Sequence, residues 1–242
     1  MPTETRHLTV SGIKVEVVRK DIKNLHLGVY PPQGRVRVAA PLVISDEAVR
    51  LAVIDKLGWI KRQKAKFVDQ PRQSQREMVN GESHYFLGQR YRLRVHEVDA
   101  PARVAVRGIA SLDLFVRPKT NADQREAILL HWYREQLKLL IPSLLDRWQP
   151  IVGVQVMGWG IKKMKTKWGS CNPTAQRVWI NLELAKKPEI CLEYIVVHEL
   201  VHLLERNHTD RFMVLMDGFM PDWRSRRALL NSGVLAHDVW EY

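Results

Sequence analysis

Acidic residues are scarce in this chain. Twenty-six Asp and Glu stand against 38 Lys and Arg, for a formal charge of +12 and a pI near 9.9. Cysteine is scarcer still, with only Cys171 and Cys191. Two cysteines exclude a disulfide framework and suit a reducing, cytoplasmic setting. No apolar run approaches the ~18 residues of a membrane-spanning helix. The opening MPTETRHLTVSGIKVEVVRK also lacks the apolar core of a secretory signal. Internal repeats and low-complexity tracts are absent, as are zinc-finger, helix-turn-helix and RNP signatures. What the acid deficit leaves is a field that concentrates anions. It points to an anionic ligand or partner, DNA included, and fits a plain solubility bias equally well.

The hydrophobic content, 45%, is enough for a substantial core. IKVEVVRK, NLHLGVY and RVRVAAP alternate apolar and polar residues and predict strands, with Pro31, Pro32 and Gly34 in a turn. One helix is predicted from Ser45 as N-cap to about Val68, burying Ala48, Leu51, Ala52, Leu57, Trp59 and Ile60. After a polar loop over 69–77, HYFLGQRYRLRVHE, ARVAVRG and LDLFVRP predict a second strand group. A long amphipathic helix should run from Asn121 to Trp148 and end near Pro150. VQVMGW, MKTKWGS and RVWINLEL then read as strands, followed by two helices. The reading is a mixed α+β chain. A β-rich region with one helix occupies 1–120, and a second domain occupies 121–242, or the two form one compact unit.

The chemistry concentrates in YIVVHELVHLLERNHTDRF, residues 194–212. A helix is predicted from Pro188 and Glu189 to about Glu205. His198 and His202 are four apart, one turn of helix, so both imidazoles can reach one tetrahedral metal ion. Glu199 falls beside that ion, where a general base for an activated water belongs. His208 is the leading third ligand, because five residues let the helix end and the chain return, with Asn207 suited to a left-handed cap. Asp210 and Asp217 are weaker candidates for the same place. Burying two imidazoles and a carboxylate between YIVV and LL would cost several kcal/mol without a partner, and a metal removes that cost.

KTKWGSCNPTAQRVWINLELAKKP, EYIVVHELVHLLERNHTDRF and PDWRSRRALLN together resemble the YgjP-like predicted metal-dependent hydrolases, relatives of SprT-like and minigluzincin zinc peptidases. RVRVAAPLVISDEAVRLAVIDKLGWIKRQ and YFLGQRYRL extend the resemblance to roughly residues 13–235. It implies one zinc ion on His198, His202 and His208, with Glu199 as general base. It also implies a small sheet against the metal-bearing helix, whose edge strand aligns an extended substrate. Trp168, Gly169, Ser170 and Cys171 would lie near the cleft. Lys165, Lys167, Trp168, Ser170 and Asn181 are the candidate substrate-binding residues. Three activities follow: a metallopeptidase, a nucleoside triphosphate (UTP-type) pyrophosphohydrolase, and a DNA-associated SprT-like protease. Cys191 reads as core, Phe212 as packing beneath the third ligand, and Arg224, Arg226 and Arg227 as decoration of a last helix.

Overall fold

The computed structural model describes residues 5–30, 34–69, 76–164 and 167–232, and the chain divides into two compact units after residue 73. This division comes before the strand group at 83–116, whereas the sequence suggests a boundary near 120. Among the described residues, no helix is long and apolar enough to cross a membrane.

The first unit is a four-stranded sheet, β1 (Thr5–Val10), β2 (Ile13–Lys20), β3 (His26–Tyr30) and β4 (Arg35–Pro41), in the order β1-β2-β4-β3. Strand alternation puts Val15, Val17, Val36 and Val38 on one face, fully buried with Val49, Val53 and Ile60. The helical segment is two helices rather than the single one expected. α1 (Asp46–Asp55) starts on the Ser45 side chain, which accepts from the Ala48 amide, and α2 (Leu57–Asp69) follows a break at Lys56. α1 buries Val49 and Val53, four apart, while Leu51 is 58% exposed. The buried face of α1 is therefore rotated from the predicted one, whereas Ile60 of α2 is buried as expected, with Leu57 and Trp59 packed against the same core.

The second unit opens with β5 (Ser83–Phe86), β6 (Gln89–Glu97), β7 (Arg103–Arg107) and β8 (Ser111–Val116), in the order β5-β6-β8-β7. Its topology repeats that of the first sheet. Each begins with an antiparallel hairpin, pairs its second strand parallel with its fourth, returns its third antiparallel to its fourth, and is followed by a helix. Each hairpin turns through two residues of positive φ, Ser11-Gly12 at 48° and 76° and Leu87-Gly88 at 48° and 81°. That is the turn whose twist matches paired strands. The copies differ in what surrounds them. A Cβ on Gly12 would meet nothing within 4 Å, whereas one on Gly88 would lie 2.7 Å from Pro188 Cγ. The amides of Leu87 and Gly88 donate to the carbonyls of Ala185 (2.9 Å) and Lys186 (3.2 Å).

α3 (Ala122–Val152) packs its buried face, Leu129, Tyr133, Leu137, Ile141 and Leu145, into one core with Leu93, Leu112, Leu114 and Val116. Asn121 and Gln124 form the capping box at its start. The helix runs through Pro142 and Pro150 instead of stopping before the second, and ends at Gly153, whose φ of 76° is the left-handed cap. A third sheet follows, β9 (Gly158–Lys162), β10 (Gly169–Asn172) and β11 (Arg177–Asn181), in the order β10-β11-β9. β10 is an edge strand, antiparallel to β11. The expected strand at 177–184 is cut at Asn181, and Leu182–Lys186 is a 3-10 helix capped by that asparagine. α4 (Glu189–Val201), α5 (Asp210–Phe219) and α6 (Trp223–Asn231) complete the unit.

His84 on β5 makes the fold acid-sensitive. Its side chain is buried, 3.4 Å from Glu82 Oε2, and burial, reinforced by Arg76, pulls its pKa down from 6.5 to about 4. The folded pKa lies below the unfolded one, so between those values only the unfolded chain takes the proton. The contribution of His84 to stability is full above pH 6.5, falls by about 3 kcal/mol as pH drops to about 4, and changes no further below that. Urea titrations of the chain and of His84→Gln across this range should diverge by that amount, and parallel curves would refute the assignment.

Candidate metal centre

α4 is apolar on nearly every side because it is enclosed on nearly every side. It packs against α3, α6, β10 and β11, and among its residues Cys191, Leu192, Val196, Val197, Leu200 and Val201 are fully buried. Glu193 holds it in place, accepting from Arg147 and Trp148 on α3 (3.0 Å each) and pairing with Arg226 on α6. Arg226 is thus a tether between helices rather than surface decoration. Glu193→Ala strands those donors and should cost about 3 kcal/mol by thermal or urea unfolding; a loss below about 1 kcal/mol would refute the tether.

The helix ends at Val201, four residues before the expected Glu205, in tightened turns from Leu203 to Leu200 (3.0 Å) and Leu204 to Val201 (2.9 Å). Asn207 keeps negative φ and supplies no left-handed cap. The early end turns the chain so that His208, just before the Thr209 N-cap of α5, faces back to the helix. Nε2 of His198 lies 3.1 Å from Nε2 of His202 and 3.0 Å from Nε2 of His208, and the three ligand nitrogens all fall within 4.8 Å of one another. Phe212, fully buried in the first turn of α5, lies beneath all three rings with centroids 5.0, 4.7 and 4.8 Å away.

These residues fit a metal ion. Tetrahedral coordination at ~2.0–2.1 Å separates ligand nitrogens by roughly 3.4 Å, close to the spacing here. His202 Nδ1 donates to the Glu205 carbonyl at 3.1 Å, which leaves its Nε2 lone pair directed at the other two imidazoles. His198 Nδ1 is buried without a partner, and burial followed by the two neighbouring histidines pulls that ring down to about 3. Three imidazoles with converging nitrogens are the donor set a cation requires. Asp217 is engaged by Trp223 (2.7 Å) and Arg224, and neither it nor Asp210 belongs to the cluster.

Glu199 is 4% exposed, and among the described residues its Oε2 has no hydrogen-bond partner. Burial pushes its carboxyl up to about 8, with Lys167 opposing, and a cation held by the imidazoles opposes the shift further. The carboxyl sits against Gly169 of β10. A Cβ there would lie 2.4 Å from Glu199 Oε1 and 2.7 Å from its Cγ. Gly169 is therefore a notch for the glutamate, and its only sequence signal is a glycine inside a strand.

The cluster opens into a cavity of about 1240 Å³. Of the candidate substrate-binding residues, Lys167, Trp168 and Ser170 line it, while Lys165 lies outside the described residues. Asn181 does not line it. Its amide donates to the carbonyls of Met164 (3.0 Å) and Lys167 (2.7 Å) and its oxygen accepts from the Met164 amide (3.3 Å), so it ties down the preceding loop. Lys162, in the same basic segment as Lys167, lines the cavity as well, as do Arg206 and Arg227, which were not singled out for it in the sequence. Lys162 Nζ rests 3.6 Å above the Trp179 ring. Cys171 lines it too, but burial, then Glu199, pushes the thiol up to about 11, so it stays protonated and outside the histidine cluster.

Residues 23–233 match the family model of the YgjP-like metallopeptidase domain. The chain belongs to the YgjP-like family. No curated protein matches it. Membership makes this a metal-dependent, peptidase-like hydrolase domain, and the match spans the histidine cluster and its supporting elements.

Proposed function

We propose that the chain is a zinc-dependent peptidase whose general base is Glu199. The observation that carries this reading is the convergence of three imidazole nitrogens beside a buried, unpartnered carboxylate. An all-imidazole donor set with one open position suits zinc, which when bound lowers the pKa of a water molecule towards ~7 and polarises a carbonyl. The chain's own residues supply the rest. His198, His202 and His208 hold the ion, and the Glu205 carbonyl fixes the tautomer of His202. Glu199 Oε2 accepts the proton of the attacking water and returns it to the leaving amine. The free edge of β10, beside Glu199, pairs with an extended peptide and sets the scissile bond in register.

A second reading, nucleoside triphosphate pyrophosphohydrolase, is favoured by charge. Among the described residues, the cavity lining carries Lys162, Lys167, Arg206 and Arg227 against the single carboxylate of Glu199, a field suited to polyphosphate. One assay separates the two. Purified chain is stripped with chelator, reloaded with zinc, and offered an unstructured protein and a panel of nucleoside triphosphates in parallel. Zinc-restored proteolysis is the expected result. Zinc-restored pyrophosphate release without proteolysis assigns the second activity, and activity indifferent to chelator sinks both.

A further inference from the structure

The second sheet has two unlike faces. Leu93, Val95, Leu112, Leu114, Val104 and Val106 point to α3 and the core. Strand alternation sends their neighbours the other way, and the register aligns them in rows. Ser83 faces Arg92, which faces Ser111 and then Arg107. Arg94 faces Asp113, while His96 faces Phe115 and then Arg103. Tyr85 faces Arg90 at the hairpin end. Arg90, Arg92, Arg94, Arg103 and Arg107 are all exposed. Among the described residues, the single acid on this face is Asp113, which is buried, accepts from Ser111 Oγ at 3.1 Å and lies 3.7 Å from Arg107 Nε and 3.6 Å from His96 Nε2.

A strand face kept only for solubility mixes lysine with glutamate. This one has five arginines, no lysine and no glutamate. Neighbouring positions lie ~7 Å apart along a strand and ~4.8 Å across strands, so the guanidinium groups form a grid of planar forks suited to phosphate oxygens. Flat groups accompany them. Arg103 lies 3.9 Å over the Phe115 ring, His96 stacks on that ring at 4.8 Å and 18°, and Tyr85 is half-buried beside Arg90. A broad sheet surface with guanidinium and aromatic planes matches a single strand laid across it, whereas a duplex is read by elements that enter a groove.

We propose that the outer face of the β5-β6-β8-β7 sheet binds single-stranded nucleic acid through its phosphates. The assignment is independent of what the histidine site hydrolyses. The test is fluorescence anisotropy of the full chain with labelled oligo-dT and oligo-U of about 15 nucleotides, between about 50 and 200 mM salt. Both strands are expected to bind, because phosphate is common to them, and a difference between them reports contact with the 2′-hydroxyl. Arg90→Gln/Arg94→Gln should weaken binding at least tenfold and flatten the log–log salt slope by about 1.4, with circular dichroism unchanged. Arg107→Gln, on another strand, should flatten it by about 0.7. Arg50→Gln/Lys61→Gln removes the same charge from exposed positions on α1 and α2 and should change affinity less than about twofold. Equal losses in the two double variants overturn the proposal, as does absence of binding. Tighter binding of a duplex also overturns it, and so does displacement by polyglutamate as readily as by oligo-U, which would assign the face to an acidic protein.

Discussion

Glu199→Gln is expected to bind metal as the parent does and lose about 10²–10⁴ of hydrolysis. The amide preserves the volume beside Gly169 but has no basic oxygen with which to take a proton. Metal content should be unchanged, since the three imidazoles and the Glu205 carbonyl are untouched. His202→Ala contrasts with it by removing one of three ligands, and should lose both metal and activity. The metal-free glutamine variant should melt no lower than the metal-free parent, because a buried carboxylate whose Oε2 has no partner does not help the fold. Full activity in Glu199→Gln would remove the glutamate from the mechanism. Full-stoichiometry metal in His202→Ala would remove the histidine from the site.

Gly169→Ala should be nearly as damaging, though its side chain offers no chemistry. The added methyl would lie 2.4 Å from Glu199 Oε1, 2.7 Å from Cγ and 2.8 Å from Cδ. The glutamate is only 4% exposed and has little room to yield, so its carboxylate must move. Misplacement by ~1 Å at a reacting group can cost about 10²-fold, and a loss of that size in kcat is expected with metal content intact. Shortening the partner tests the cause. Glu199→Asp alone withdraws the base, but in the Gly169→Ala chain it relieves the overlap, so the double variant should be far more active than the product of the single losses. Strict additivity, or metal lost together with activity, would show that the alanine acts elsewhere.

The clustering of the three histidines was legible in the sequence because its grammar is local. His198 and His202 are one turn apart, and His208 is near enough to return. The end of the helix was not legible. Leu203 and Leu204 continue the apolar pattern, and only the tightened turns to Leu200 and Val201 stop it. The break of the first helical segment at Lys56, itself an ordinary helix former, was not read from the sequence, although Gly58 follows it. The choice between Val49 and Leu51 as the buried side depends on a valine sheet assembled from distant strands. Pro150 misled in the opposite sense, since the helix continues for three residues to a glycine cap. β1 was passed over because half-exposed residues blur its alternation. Asn181 was legible as important but not in its role, since its partners are backbone groups of the loop before β10.

The twin hairpin turns have different lives in solution. Among the described residues, nothing lies within 4 Å of where a Cβ on Gly12 would stand, and that turn can fray without consequence for α4. The Leu87 and Gly88 amides end on the carbonyls of Ala185 and Lys186, immediately before Pro188 and the start of α4. These two protons can exchange with water only when the approach to the metal helix lets go. Their exchange rate is therefore a clock for openings of the hydrolytic site, read at a turn in a different sheet.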